Sequence, residues 1–265
     1  RNRLRLVVFK HAMQRDGINY EIIDGFGTLT VDRPAVRNAL DWNAMRAFAA
    51  AVEDAHRDKN LRALILTGAG DTFVSGGDLR VLKDYPKRRD GLRLAMIMGK
   101  ALERLRSLPA PTIAAINGPA RGGGAEIAVS CDQRVMARGA DIGFVHAHLG
   151  ITTAWGGARY LFPTVGYPQA LELLTTGRVL GAEEAADIGL VDHLAPQGGA
   201  LDAARELAAK MARHPAEAVR AAKRLLRFAV AYPEVAKHAE RRLFASLWDS
   251  EYRREAVRRF LNKGK

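Results

Sequence analysis

Three consecutive glycines at residues 122–124 narrow the possible folds more than any other part of the sequence. They stand between an apolar run at residues 112–116, which predicts a buried strand, and an apolar helix that begins near Glu126. Glycines in such a turn let backbone N–H groups point into a cavity, and the helix N-terminus adds partial positive charge. The segment therefore predicts a site for a developing negative charge, with close helix–strand packing as the structural alternative.

The same glycines do not form a dinucleotide-binding fingerprint. That motif reads G-x-G-x-x-G, and a match starting at Gly122 would need glycine where Ile127 stands. A phosphate-binding G-x-x-x-x-G-K-[ST] loop is also absent from the sequence. The turn is therefore interpreted as a candidate oxyanion site rather than a nucleotide cradle.

A second glycine turn follows an earlier apolar run at residues 63–67. Here Ser75 precedes Gly76-Gly77, and Asp78 and Leu79 come directly after the glycines. Ser75 lacks the G-x-S-x-G surroundings of a nucleophile elbow, so we do not expect it to attack a substrate. Two such turns in one fold can supply two converging N–H donors.

Strands and helices are predicted to alternate along most of the chain, which is typical of an α/β fold. From residue 200 onward, only helical spacing remains. We expect a disordered leader over residues 1–18, a core over residues 19–199 and a helical region over residues 200–265. Further elements are predicted as two short strands before residue 31, a helix capped by Asp41, a helix over 92–108 and a strand over 131–137.

The formal charge of +12 and the one cysteine exclude some classes and leave others open. One cysteine permits neither an intrachain disulfide nor a zinc site built from several thiolates, and no metal site is expected. The positive charge is compatible with nucleic acid, an anionic membrane or a polyanionic ligand. No apolar run approaches the roughly 20 residues of a membrane helix. A cytoplasmic location is expected, or a mitochondrial one if the Arg-rich leader is the remnant of a transit peptide.

An ordered set of motifs resembles the crotonase (enoyl-CoA hydratase/isomerase) superfamily from about Asn19 to the C-terminus. No single motif is specific, but their order along the chain is. The matching motifs are Arg33-Pro34-x-x-x-Asn38-Ala39-Leu40, Phe73-x-Ser75-Gly76-Gly77-Asp78-Leu79, Asn117-Gly118 with Gly122-Gly123-Gly124-Ala125-Glu126, Cys131-Asp132, and Leu149-Gly150 with Gly156-Gly157.

The resemblance implies a crotonase-like spiral of ββα units, with a C-terminal helical region that assembles homotrimers, often paired as homohexamers. It implies an acyl-CoA thioester substrate, no cofactor beyond the CoA moiety, and an oxyanion hole built from the N–H groups of Gly77 and Gly123. Removing one oxyanion donor typically costs about 2.7–4 kcal/mol in other enzymes. The positions that the resemblance places near CoA are Val36, Arg37, Ser75, Asp78, Leu79 and Lys263.

One departure from the family pattern bears on the reaction. Hydratases of this superfamily use two glutamates; the first matches Glu126, and the second lies four residues before the glycine at position 150. His146 occupies that position, so the paired carboxylates for adding water are absent. The surrounding residues look most like the ethylmalonyl-CoA decarboxylase branch, in which loss of CO₂ produces an enolate. Glu126 or His146 would then protonate the α-carbon, and Trp155 is either a wall of the substrate pocket or a core residue.

Two other functions remain open. An enoyl-CoA hydratase or isomerase working with Glu126 alone is one, because an isomerase needs a single base. An RNA-binding crotonase homologue is the other, since residues 201–265 carry 16 basic and 8 acidic residues. Specific recognition of single-stranded RNA usually adds aromatic side chains, and Phe260 is the one aromatic between Arg253 and the C-terminus. We therefore expect neither nucleic acid nor a membrane as the partner.

Overall fold

The structure of the protein is a computed structural model that describes residues 11–231. Its strands form two sheets, and the larger one is antiparallel over its first three strands and parallel over the rest. The strands of the described residues are β1 (His11–Arg15), β2 (Ile18–Ile23), β3 (Phe26–Val31), β4 (Ala63–Gly68), β5 (Thr112–Ile116), β6 (Ala120–Arg121), β7 (Gln133–Ala137), β8 (Asp141–Gly143), β9 (Val179–Gly181) and β10 (His193–Ala195).

The larger sheet has the order β1-β2-β3-β4-β5-β7-β10, and the smaller one has the order β6-β8-β9. Every residue of β4 and β5 is buried, as their continuous apolar runs predict for parallel strands covered on both faces. Both glycine turns begin near the carboxyl ends of these two strands. The neighbouring strands therefore deliver the two turns to the same edge of the sheet.

Helices follow the strands, so the prediction of an α/β fold is confirmed. Asp41 caps the first long helix, as the sequence predicts. Its carboxylate accepts hydrogen bonds from the N–H groups of Asn43 and Ala44, both at 2.9 Å. The helices are α1 (Trp42–Arg57), α2 (Leu79–Leu82), α3 (Arg88–Arg106), α4 (Gly123–Ser130), α5 (Gly157–Thr176), α6 (Ala182–Asp187), α7 (Ala200–Met211) and α8 (Ala216–Ala231).

The predicted boundary of the leader was wrong. The disordered leader was expected to reach residue 18, but β1 occupies His11–Arg15 and pairs antiparallel with β2. Its sequence, HAMQR, has no apolar alternation, so the pairing with β2 and not the local pattern makes it a strand. Residues 1–10 lie outside the described part.

The predicted helical region starts at residue 200, and α7 begins at Ala200 with no strand after it up to residue 231. By compactness the chain divides into units at residues 1–209 and 210–265. Ala200, Ala204 and Ala208 of α7 are fully buried at helical spacing, which ties most of that helix to the first unit. None of the helices within residues 11–231 combines the length and the apolar character needed to cross a bilayer.

We expect the Asp41 cap to make folding stability depend on pH. Burial alone raises the pKa of the Asp41 carboxyl, but the Ala44 N–H, the Arg33 guanidinium and the Asn43 N–H outweigh it and hold the pKa below its usual value. The carboxylate therefore stabilises the fold fully above the unfolded-state pKa of about 3.9, and this contribution is lost as pH falls through the lower folded-state value.

Asp41→Asn keeps a good N-cap but removes the charge paired with Arg33. We expect the free energy of unfolding to fall by about 1 kcal/mol at pH 7 and to equal that of the unmodified protein near pH 2. Urea unfolding at both pH values measures this. An equal loss at both pH values would show that the charge is not responsible.

Candidate active site

The two glycine turns touch each other at the edge of the sheet. Gly76 has φ +91°, and a Cβ atom on it would lie 3.1 Å from the backbone nitrogen of Gly123. Between the turns, the Arg121 N–H donates to the Val74 carbonyl at 3.0 Å. Among residues 11–231, neither the Gly77 nor the Gly123 N–H has a hydrogen-bond acceptor. The fold thus brings the turns that carry these two donors into contact, and their convergence on one oxygen atom stays a prediction.

Asn38 and Leu40 hold the first of these turns from the opposite side. The buried Asn38 amide nitrogen donates to the carbonyls of Ala69, Thr72 and Phe73 at 2.9, 2.6 and 3.2 Å. Leu40 donates its N–H to the Gly76 carbonyl and accepts from the Asp78 N–H, both at 2.8 Å. The backbone on either side of Gly77 is therefore fixed by a segment nearly 40 residues earlier in the chain.

Glu126 lies on α4, immediately behind the second turn, and its carboxylate is 1% exposed. One oxygen, Oε2, accepts from the N–H groups of Trp155 and Gly157 at 2.8 and 2.7 Å. The other, Oε1, lies 3.0 Å from Nε2 of His146 and 3.4 Å from the N–H of Ala154. Four partners therefore face the roughly four lone-pair positions of one carboxylate.

His146 lies in a short 3₁₀ turn, Val145–Leu149, that follows β8. Its side chain is 11% exposed, and its Nδ1 atom is buried with no hydrogen-bond partner among the described residues. The His148 side chain contacts a different group: its Nε2 atom lies 3.1 Å from the Thr176 carbonyl. Glu126 and His146 are therefore in direct contact, and their joint role in a reaction stays a prediction.

Trp155 joins the glutamate to the glycine turn. Its N–H is held by Glu126, and its indole ring packs against Gly123 so closely that a Cβ there would lie 2.1 Å from Cζ3. The residue is 3% exposed. The ring is thus buried against Gly123, as a core residue would be, and its role as a wall of the substrate pocket stays a prediction.

The residues predicted to contact CoA lie around the first turn, with one exception. Val36 ends a 3₁₀ turn and Arg37 is exposed, close in sequence to the Leu40 that holds Gly76. Ser75 is half-buried and Leu79 is exposed at the start of α2. Lys263 lies outside the described residues. Their contacts with CoA stay predictions.

Asp78 has a structural task at this position. Its carboxylate accepts from the N–H and the guanidinium of Arg80, each contact at 3.1 Å, and so caps α2. The Arg80 hydrogen bond also holds the pKa of the Asp78 carboxyl below its usual value. Any contact of Asp78 with CoA would therefore run through its backbone or through Arg80.

Sequence reasoning missed two features of the site. The three backbone N–H groups that bind Glu126 carry no side-chain signal, although the Gly156-Gly157 pair marks a tight approach of backbone. The sequence also gives no signal for the ion pair of Arg121, whose guanidinium binds both carboxylate oxygens of Asp141 at 2.6 Å. Within residues 11–231, no group of three or more His, Cys, Asp or Glu side chains could hold a metal ion.

Comparisons with known proteins confirm the family and the crotonase-like fold that the sequence motifs predict. The family model described as enoyl-CoA hydratase/isomerase matches residues 21–265. The ethylmalonyl-CoA decarboxylase of Gallus gallus is 34% identical over 239 residues, which cover 89% of this chain and 80% of that protein. The short-chain-enoyl-CoA hydratase of Clostridium acetobutylicum is 32% identical over 239 residues, which cover 89% of this chain and 91% of that protein.

A solved structure is similar over almost the whole chain. The enoyl-CoA hydratase of Bacillus anthracis superposes with a TM-score of 0.88 at 28% identity and covers 94% of this chain and 97% of that one. The similarity therefore extends from sequence motifs to the path of the backbone.

Gly123→Ala is expected to destabilise the protein through Trp155. The new Cβ would lie 2.1 to 2.7 Å from three ring atoms, and the ring cannot move freely because Glu126 holds its backbone. Overpacking of this kind costs about 1–3 kcal/mol, measured as the free energy of urea unfolding.

Gly181→Ala is the matched control, because nothing lies within 4 Å of a Cβ at that position. The cost of Gly123→Ala should shrink in a Trp155→Leu background, where the ring is absent. An equal cost in both backgrounds would contradict the steric explanation.

Proposed function

Because the chain belongs to the enoyl-CoA hydratase/isomerase (crotonase) family, we propose that it is an acyl-CoA thioester lyase. Its proposed reaction is decarboxylation of a short branched malonyl-CoA, such as ethylmalonyl-CoA or methylmalonyl-CoA. The name of the Gallus gallus relative supports this choice. The reaction uses no cofactor beyond the CoA moiety of the substrate.

The observation that carries the proposal is the saturated carboxylate of Glu126. Its four lone-pair positions are occupied by three backbone N–H groups and the His146 ring, so none is left to hold a water molecule. The second position that would bind water is itself the His146 imidazole. Decarboxylation needs no activated water, which makes it the better match to this arrangement.

The glycine turns account for the first step. The bond between the α-carbon and the carboxylate breaks, CO₂ leaves, and the electron pair moves through the α-carbon to the thioester oxygen. The N–H groups of Gly77 and Gly123 would stabilise the resulting enolate oxygen, because both are unpaired and the turns that carry them are in contact. The indole of Trp155 would exclude water from the same place.

The pair of Glu126 and His146 accounts for the second step, addition of a proton to the α-carbon. Three backbone N–H groups fill the other acceptor positions of Glu126, so its remaining position faces Nε2 of His146. Glu126 thus fixes the ring with its Nε2–H directed at Oε1, as a carboxylate does in a catalytic triad. We assign the proton delivered to the α-carbon to Nδ1 of the imidazolium, which becomes a neutral imidazole; this atom has no partner among the described residues.

Hydration or isomerisation of an enoyl-CoA is the second candidate. The Clostridium acetobutylicum hydratase is nearly as similar as the decarboxylases, and it is matched over 91% of its length. Glu126 could serve as the single base of an isomerase only if one of its present partners moved away. This requirement places the second candidate below the first.

Assembly into a homotrimer or homohexamer is part of the proposal. Large apolar side chains of α5 are exposed, with Phe162, Tyr167 and Leu171 at 54, 65 and 47%. Several large apolar side chains exposed on one element are typical of a surface that another chain covers. They support an assembly of several copies without specifying the number.

A panel of thioesters tests the reaction. Ethylmalonyl-CoA and methylmalonyl-CoA should each lose CO₂, giving butyryl-CoA and propionyl-CoA by mass, whereas crotonyl-CoA should gain water slowly or not at all. Rapid hydration of crotonyl-CoA without CO₂ from either malonyl ester would overturn the proposal.

Glu126→Gln tests the proton route. The glutamine oxygen can still accept from Trp155 and Gly157, but its NH₂ group donates to His146 Nε2 and moves the ring proton to Nδ1. We expect kcat for CO₂ release to fall about 10²–10⁴-fold while the protein stays folded. A full rate in this variant would show that the carboxylate has no part in the route.

His146→Gln should give a comparable loss because it removes the imidazole. The matched control is His148→Gln, since His148 is two residues away and bonds the Thr176 carbonyl instead of Glu126. Its kcat should equal that of the unmodified protein. Equal losses in both histidine variants would point to damage of the 3₁₀ turn rather than to loss of a proton donor.

A further inference from the structure

We propose that Arg121, paired with Asp141, is a positioning residue that fixes the two N–H donors and the His146 imidazole relative to one another. The inference rests on the proposed function for its kinetic readout only. It concerns a residue that precedes the glycine turn and touches none of the proposed reacting groups.

The backbone of Arg121 joins the two glycine turns. Its N–H donates to the carbonyl of Val74 at 3.0 Å, and Val74 precedes Gly77 by three residues. Gly123 follows Arg121 by two residues. Its carbonyl oxygen would lie 3.1 Å from a Cβ on Gly76. Any shift of Arg121 therefore changes the separation of the Gly77 and Gly123 N–H groups.

The side chain of Arg121 joins this place to the imidazole. Its guanidinium donates from Nη1 and Nη2 to the two carboxylate oxygens of Asp141, both at 2.6 Å, and from Nη1 to the Asp141 carbonyl at 3.3 Å. Asp141 begins β8, and the chain reaches His146 five residues later. The ion pair thus connects the strand before Gly123 with the strand before His146.

Few backbone hydrogen bonds join those two strands, so the ion pair is a large part of what holds them together. β6 pairs with β8 over two residues, Ala120 with Ile142 and Arg121 with Gly143, and the Gly122 N–H adds one bond to the Gly143 carbonyl at 2.9 Å. A bidentate pair between planar groups fixes both distance and orientation. At 26 and 35% side-chain exposure, the same pair contributes little to overall stability.

Arg121→Met tests the proposal, because methionine keeps an unbranched apolar side chain but removes the guanidinium. We expect kcat for CO₂ release to fall about 10- to 100-fold with little change in KM, since small displacements of reacting groups have effects of this size. Arg121→Lys should lie between Met and the unmodified protein, because an ammonium cannot bind both oxygens in one plane.

A second ion pair provides the matched control. Arg104 binds both carboxylate oxygens of Glu53 at 2.8 and 3.1 Å, at 41 and 34% exposure, and it connects α3 with α1. Arg104→Met should change the melting temperature about as much as Arg121→Met but leave kcat unaltered. Equal kcat values in the two variants would overturn the proposal.

The charge-reversed double variant, Arg121→Asp with Asp141→Arg, separates positioning from direct action. Recovery of part of the lost kcat supports a role through the ion pair. If Arg121→Met is impaired and the reversed pair recovers nothing, the guanidinium acts on something other than Asp141, and the proposal fails.

A readout without turnover keeps this inference separate from the proposed reaction. The imidazole ¹H and ¹⁵N resonances of His146 in the free protein should shift in Arg121→Met and stay in place in Arg104→Met. Shifted resonances with no CO₂ release from any thioester would leave the positioning role intact and remove the decarboxylase. Unshifted resonances would remove the positioning role, whatever the reaction is.

Discussion

A carboxylate is tolerated in a protein interior only when hydrogen bonds replace the water it has lost, and Glu126 meets this condition completely. Its donors come from the chain at 154–157 and from His146, so one side chain on α4 organises the start of α5, the indole of Trp155 and the imidazole. Hydrogen bonds to a charged group contribute about 1.5–3 kcal/mol each. The geometry of the site depends on this one anchored charge.

The hydrogen bonds of Glu126 also limit the chemical role that its carboxylate can have. A base that binds water needs a free lone pair, and a carboxylate that positions a backbone segment has none. Here the hydrogen bonds of Glu126 position the surrounding chain, and the proposed reaction uses His146 for proton transfer. A carboxylate and an imidazole have similar separate roles in unrelated hydrolases, where the carboxylate orients the ring and does not itself take the proton.

Local sequence signals predicted the parts of the fold and site that local physics determines. The apolar runs of β4 and β5, the Asp41 cap and the two glycine turns are of this kind, and all were found where the sequence placed them. The hydrogen bonds of the Asn38 amide nitrogen carried no local signal, because its acceptors lie 31 to 35 residues away in the chain. The role of Glu126 was incompletely predicted for a related reason, since three of its partners are backbone N–H groups that any residue except proline provides.

The short ladder between β6 and β8 has a consequence for redesign of this enzyme. The chain from Asp141 to Gly157 is fastened at its first residue by Arg121 and at its last by Glu126, and it carries both His146 and Trp155 in between. Because both ends are attached, inserting or deleting a residue in this segment would displace His146 and Trp155 together. A substitution that keeps both attachments would instead change a single chemical group beside the glycine turns.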